Sequence, residues 1–446
     1  MRMHRNALAS AAIVVAAAAS SFSSAQTIAP VIKDGDAVSG GGNVTSIENV
    51  NVNNSGGWLV EVDTDAATIE DAALVRNGAL LMREGFMPAG LSTGTLSSFD
   101  TPYLNNAGTY NGNVFFGGTG STSNDSAVMH ETGMTLREGT ISAAPQFSPN
   151  TPYIGFFEAP NNDVNQVAVL ASVDDPAITS TVDRAIVRWN LSPTGTLLNE
   201  TVILKEGDAL PGMGGQLYVD SPGTGPHNFA FNNLGQVMYS VDGDGATTSD
   251  TAVFLNNASV MREGDPSIVA GRNWGNVGST TRFDVNNSGQ WVIAGFLDAT
   301  STTNDNIIFK SSGTKVIQEG DTLPAIGGTF TFTGFGSGNV DIDDNGNVFW
   351  FGDWNDTDTT KDTGIFMNDQ LLVQEGVTMI GGQLLTGLSG VQDNFRVSDN
   401  GLFLIFEGQL AGGVDGAFMV AIPEPGTAGV AGVAAGLLAL RRRRRA

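Results

Sequence analysis

One repeating unit of this chain is divided between its two ends, and that division limits the available folds more than any other feature. The unit is marked by a short apolar run closing on Glu-Gly. It occurs as Arg83-Glu84-Gly85, Arg137-Glu138-Gly139, Lys205-Glu206-Gly207, Arg262-Glu263-Gly264, Gln318-Glu319-Gly320 and Gln374-Glu375-Gly376. Lys33-Asp34-Gly35 is a seventh copy, and the glycine-to-glycine steps are 50, 54, 68, 57, 56 and 56 residues. A polar turn recurs between these marks, as Asn53-Asn54-Ser55-Gly56, Asn105-Asn106-Ala107-Gly108, Asn232-Asn233-Leu234-Gly235 and Asn286-Asn287-Ser288-Gly289. Later copies are Asp343-Asp344-Asn345-Gly346 and Ser398-Asp399-Asn400-Gly401, with a degenerate Asn161-Asn162-Asp163 inside the longest step. Asn and Gly tolerate positive φ, so these read as tight hairpins. A third mark is an Asp opening an apolar run, at Asp71, Asp125, Asp183, Asp250, Asp305, Asp362 and Asp415.

Each unit thus offers about four strands: before the polar turn, after it, after the Asp, and into Glu-Gly. The last unit stops at Val420 without its Glu-Gly strand, and Ile28 to Asp36 is that strand standing alone. A ring uses such an N-terminal strand to complete its final blade and leaves no unpaired seam. The expectation is an all-β, seven-bladed β-propeller over residues 26–421, closed by the N-terminal strand, with a short apolar helix at the C-terminus. A β-helix or a string of sandwich domains is the alternative. The body also resembles a poorly characterised family of exported bacterial proteins with repeated Glu-Gly-Asp segments, which brings no activity with it.

The two ends read as addresses. Arg2 and Arg5 precede an Ala/Val-rich run from Ala7 to Ala19, and small residues lead to Ser23-Ser24-Ala25. That is a secretory signal peptide over residues 1–25, cleaved between Ala25 and Gln26. Residues 422–446 hold Pro423-Glu424-Pro425, an apolar run from Gly426 to Leu440, and the cluster Arg441, Arg442, Arg443, Arg444 and Arg445. Fifteen residues would span about 22 Å as a helix. The arginines would stay cytoplasmic and hold the body outside. This terminus resembles the PEP-CTERM sorting signal of Gram-negative bacteria. The resemblance implies transient membrane insertion, processing by an exosortase-type protease, and delivery to the cell surface or extracellular matrix.

Composition excludes several chemistries. The formal net charge is −25, and Arg2, Arg5 and Arg441 to Arg445 lie in the ends, so the body is more acidic still. Such a charge repels nucleic acid. There is no cysteine, so disulfides and thiolate sites are absent. Of three histidines, His4 lies in the leader, and His130 and His227 read as ordinary surface or turn residues. No G-x-S-x-G elbow, H-E-x-x-H, P-loop or Rossmann fingerprint occurs.

The remaining site readings come from repetition. The Glu-Gly glutamates could form a carboxylate collar for a cation, but a strand-end role better explains their presence in every unit. Asp341, Asp343 and Asn345 fit the start of a D-x-D-x-N-G calcium loop, although the same register elsewhere is a plain hairpin turn. Calcium is the one cofactor the sequence suggests. Ser/Thr/Asp-rich loops at Ser121–Asp125, Thr247–Asp250, Thr300–Asp305 and Asp356–Thr360 form a rim able to hydrogen-bond sugars, or a plain solvated fringe. Among Trp58, Trp189, Trp274, Trp291 and Trp350, the latter two sit in strands and read as core; Trp354 is the best exposed stacking candidate. The functional expectation is a noncatalytic surface or matrix module that binds extracellular polysaccharide or another surface protein. The alternatives are a glycan hydrolase or lyase using paired carboxylates, and a coat or spacer protein.

Overall fold

A strand flanked by apolar neighbours on both faces needs a partner on each side, and the middle strands of every repeat have that character. Leu59, Val60 and Val62 of one strand and Ala73, Leu74 and Val75 of the next are wholly buried. The computed structural model describes residues 27–178, 183–225, 227–298, 303–327, 329–391 and 393–423. Among these the strands form seven antiparallel sheets, one for each repeat. In blade 1 the order from the inner edge outward is Gly42–Val52, Trp58–Thr64, Ala72–Arg76 and Ala79–Arg83. The remaining blades keep this meander, their second strands being Tyr110–Gly117, Gln166–Val173, Val237–Gly243, Trp291–Phe296, Val348–Trp354 and Phe403–Leu410.

The clusters of buried apolar side chains lie between blades rather than within them. Phe349, Phe351 and Ile365 of blade 6 pack with Phe395, Phe406 and Phe418 of blade 7. Val44, Val60 and Val75 of blade 1 pack with Ile405, Ala417 and Ile32 of blade 7. Burial of one such side chain contributes about 1.5–3 kcal/mol. A blade alone would expose both faces, so the seven stabilise one another.

Closure follows the expected route. Thr27–Lys33 pairs antiparallel with Val414–Ala421, with Thr27 opposite Ala421 and Lys33 opposite Gly416. The first strand of the body is therefore the outermost strand of blade 7. The Glu-Gly turns link each outer strand to the following blade. Gly85, Gly139, Gly207, Gly264, Gly320 and Gly376 all have positive φ, and their amides bond the carbonyls of Leu96, Tyr153, Tyr218, Trp274, Phe332 and Leu385. Gly35 does the same with Val44.

One part of the fold expectation is corrected. Among the described residues the sole helical element is a 3-10 turn at Pro324–Ile326. Among the described residues no helix is long and apolar enough to cross a membrane. The short C-terminal apolar helix is therefore withdrawn from the fold, and its residues, Gly426 to Leu440, lie outside those described. The residues expected to form a signal peptide, 1–25, also lie outside those described, as do Gln26, Glu424, Pro425 and Arg441 to Arg445; Pro423 is described and exposed.

Candidate functional site

Each blade presents its inner strand to the ring axis, so the chemistry of the axial channel is written in those strands and in the turns that end them. The polar turns close one end. The first Asn of a turn accepts bonds from its own turn and donates to the next. Asn286 Oδ1 accepts from Ser288 and Gln290 amides, and its Nδ2 donates to the Asp343 carbonyl at 2.8 Å. Asn105, Asn162 and Asn232 donate likewise to the carbonyls of Asn162, Asn232 and Asn286.

The second turn residue accepts from the preceding blade. Asn54 N donates to Asn106, Asn106 N to Asp163, Asp163 N to Asn233, Asn233 N to Asn287 and Asn287 N to Asp344. Asp344 N donates to the Asp399 carbonyl, and Asn400 N returns to Asn54 Oδ1. The chain of bonds passes once around the ring. Asp399 Oδ2 also accepts from Asn106 at 2.8 Å and Asn287 at 2.9 Å, which belong to blades that are not its neighbours. This cross-axis contact caps the channel. Burial raises the Asp399 carboxyl to about 6 despite these donors.

Behind the cap lies a cavity of about 130 Å³. The residues two positions before the turn residues Asn53, Asn105, Asn162, Asn232, Asn286, Asp343 and Ser398 all line it: Asn51, Tyr103, Pro160, Ala230, Asp284, Asp341 and Arg396. The backbone frame repeats and this position does not. Asp284 accepts from the Ile342 amide and Asp341 from the Val397 amide, each reaching into the next blade. Burial, then the neighbouring Asp341, raises Asp284 to about 7. Arg396 faces Asp341 and the Tyr103 ring, and Tyr103 donates to buried Glu158. Burial holds the Glu158 carboxyl well above the usual range.

His227 sits in a turn, as the sequence allowed, but it is buried rather than on the surface. It is 2% exposed, has φ +61°, and lines this cavity. Nδ1 lies 3.2 Å from Arg396 Nη1 and 3.3 Å from Asp341, while Nε2 has no partner. Burial, reinforced by Arg396 and Arg282, holds its pKa well below the ordinary value, so the imidazole is neutral. It occupies a segment that interrupts the inner edge of blade 4, between Tyr218–Asp220 and Phe229–Phe231. Blades 6 and 7 are interrupted likewise, between Phe332–Gly334 and Val340–Ile342 and between Gln383–Leu388 and Phe395–Val397. The inner strand borders the axis, so these extra residues enter the channel.

At the opposite end from the cap is an open recess of about 520 Å³. Its walls are Glu48, Arg282, Asp393 and Glu407 with Ser337, Ser389, Ile47 and Val391. Burial raises Glu407 to about 8, with Asp393 and Glu48 adding to it. Arg282 is lowered to about 10 by burial. Its Nη1 donates to Asn228 at 3.0 Å, while Nε has no partner. Antiparallel alternation places the loops between second and third strands on this same face. Ser121, Thr122 and Ser123, and likewise Thr357, Asp358 and Thr359, are exposed there.

Other sequence readings resolve locally. Glu138 accepts from the Asp125 and Ser126 amides, Glu319 from Asp305 and Asn306, and Glu263 and Glu375 from Thr251 and Thr363 hydroxyls. These glutamates cap the third strand at the outer edge of each blade, far from a collar on the axis. Asp343 accepts from Asn345 and Asn347 amides, whereas Asp341 serves the channel. Asn345 Nδ2 reaches the Asn400 carbonyl. Among the described residues, no group of three or more His, Asp or Glu is placed to hold a metal ion. Trp354 is not an exposed platform: it is 2% exposed and meets Phe366 edge-on. In the longest step Glu200 accepts from Tyr153 and Ser142 hydroxyls.

Comparison with known proteins adds a family. No curated protein matches the sequence. Among solved structures, TolB from Acinetobacter baumannii aligns at 11% identity over 85% of this chain and 79% of its own, with a TM-score of 0.31. The WD40 β-propeller domain of Doa1 aligns at 10% identity over 88% of this chain and 96% of its own, with a TM-score of 0.26. At those scores the architecture stands on the strand pairings alone. Residues 9–259, more than half of the chain, match the DUF7453 model, and the chain belongs to this family of unknown function.

Proposed function

We propose that this protein is an exported, noncatalytic propeller that binds extracellular polysaccharide on the face where the axial channel opens. The observation that carries the reading is the asymmetry of the channel: a hydrogen-bonded cap at one end, and at the other a polar recess of about 520 Å³. That volume lies within the range of ligand pockets, roughly 300–1,000 Å³. The exposed Ser/Thr/Asp loops surround the same face and extend the acceptor and hydroxyl surface that a glycan chain needs. The leader and the Pro423-Glu424-Pro425 tail support export and sorting by an exosortase-type protease. The test is retention of the purified protein on its host's extracellular polysaccharide, with a nucleic acid resin as control. Retention that soluble polysaccharide competes away is expected. No retention leaves a surface-protein partner or a coat role.

A second reading has one observation in its favour. Glu407, raised to about 8, lies near Asp393 and Glu48, and an acid paired with a carboxylate is the equipment of glycoside hydrolysis. Release of new reducing ends from the bound polysaccharide would establish it, and a bound but uncut polymer would remove it.

A further inference from the structure

The sevenfold frame makes any departure from symmetry informative, and the departures gather at the open end of the channel. Glu48 comes from blade 1, Arg282 from blade 5, Ser337 from blade 6, and Ser389, Asp393 and Glu407 from blade 7. Three carboxyl groups thus border one recess, and the repulsion between those that ionise is relieved when a positive charge enters. Arg282 answers this in part. However, it is 2% exposed, its Nη1 is tied to Asn228 and to the Ser279 and Thr281 carbonyls, and its Nε is buried without an acceptor. An incoming group must therefore offer a cation to the carboxylates and an oxygen acceptor near the guanidinium. Ser337 and Ser389 add hydroxyls that donate or accept, and Ile47 and Val391 give an apolar flank. A sugar carrying a free primary ammonium meets all of these demands, because its ring hydroxyls both donate and accept.

We propose that the recess is a binding site for an amino sugar with an unacetylated amine, held by Glu48 and Asp393 through the ammonium, by the Glu407 carboxyl through a ring hydroxyl and by Arg282 through a hydroxyl oxygen. This rests on the polysaccharide reading and names the sugar class that the face selects. Uronic acids are rejected by the same carboxylates. N-acetylation removes the charge and weakens binding even though it leaves the ring hydroxyls in place.

The test is a ligand-observed NMR titration of the whole purified protein at pH 6 with a glucosamine trimer, its fully N-acetylated counterpart and a glucuronate oligomer. The glucosamine trimer is expected to bind at least tenfold more tightly than the acetylated form, and the glucuronate not at all. Asp393→Asn and Glu48→Gln should each weaken glucosamine binding at least fivefold with an unchanged melting temperature. A variant that melts early is replaced by Ser389→Ala, expected to weaken binding about twofold. Equal binding of the charged and acetylated trimers, or binding unaffected by D393N and E48Q, overturns the site. Polysaccharide retention without glucosamine binding sinks this site and leaves the broader reading standing. Glucosamine binding without polysaccharide retention does the reverse.

Discussion

Asn286 shows how much one side chain carries in this fold. Its Oδ1 holds its own turn closed, and its Nδ2 satisfies the buried Asp343 carbonyl of the next blade. Removing it loses the turn bonds and leaves the Asp343 carbonyl with only the Gly346 amide of its own turn. Asn286→Ala should therefore cost about 2–3 kcal/mol, read as a lower denaturant midpoint. Asn199→Ala, whose bond to Asn190 is exposed, should change stability by less than about 0.5 kcal/mol. The Asn-Gly turn was legible because hairpin chemistry is local. Its partner across the blade boundary was not, because Asp343 stands 57 positions away. The burial of His227 was hidden for the same reason: a lone histidine in a polar turn carries no local sign that Arg396 and Asp341 will surround it.

At the scale of the strand, closure depends on Thr27–Lys33. Without it Val414–Ala421 becomes an open edge, Ile32 no longer fills the boundary between blades 7 and 1, and that loss alone costs about 1.5–3 kcal/mol. Deleting residues 27–33 should lower the melting temperature and shift the protein to larger species by size exclusion, since an unpaired edge recruits other chains. A synthetic peptide of residues 27–36 added in excess should restore the elution position of the intact protein by adding the missing strand. Failure of the peptide, with an unchanged melting temperature in the deletion, would mean that the ring holds without its last strand. The split unit was readable because the apolar run and the Glu-Gly mark survive on either side of the cut. The interruptions in the inner strands of blades 4, 6 and 7 were not, since nothing in their length alone says that they turn toward the axis.

Across the whole molecule, the channel concentrates carboxyls whose neutral form the fold prefers. Burial raises Glu407 to about 8 and Asp284 to about 7, and away from the channel it raises Glu61, on the second strand of blade 1, to about 8. A carboxyl whose folded pKa is raised contributes fully below its unfolded value and loses that contribution as pH climbs through the folded value. Each such group can cost up to about 1.4 kcal/mol per pH unit across that window. The protein should thus melt at a higher temperature at pH 5 than at pH 9, and the reverse order would show that these groups are ionised in the native state. The sequence by itself determined the number of blades, the strand order within each and the closing strand, because alternation, turn residues and a repeated mark act through neighbours in the chain. Only the tertiary structure decided that the polar turns join into a cap, that Trp354 is core, and that Arg282, His227, Asp284, Asp341 and Arg396 share one channel. A ring brings equivalent positions of distant repeats to a common axis. What they do together depends on charge, burial and distance across that axis, which no single repeat contains.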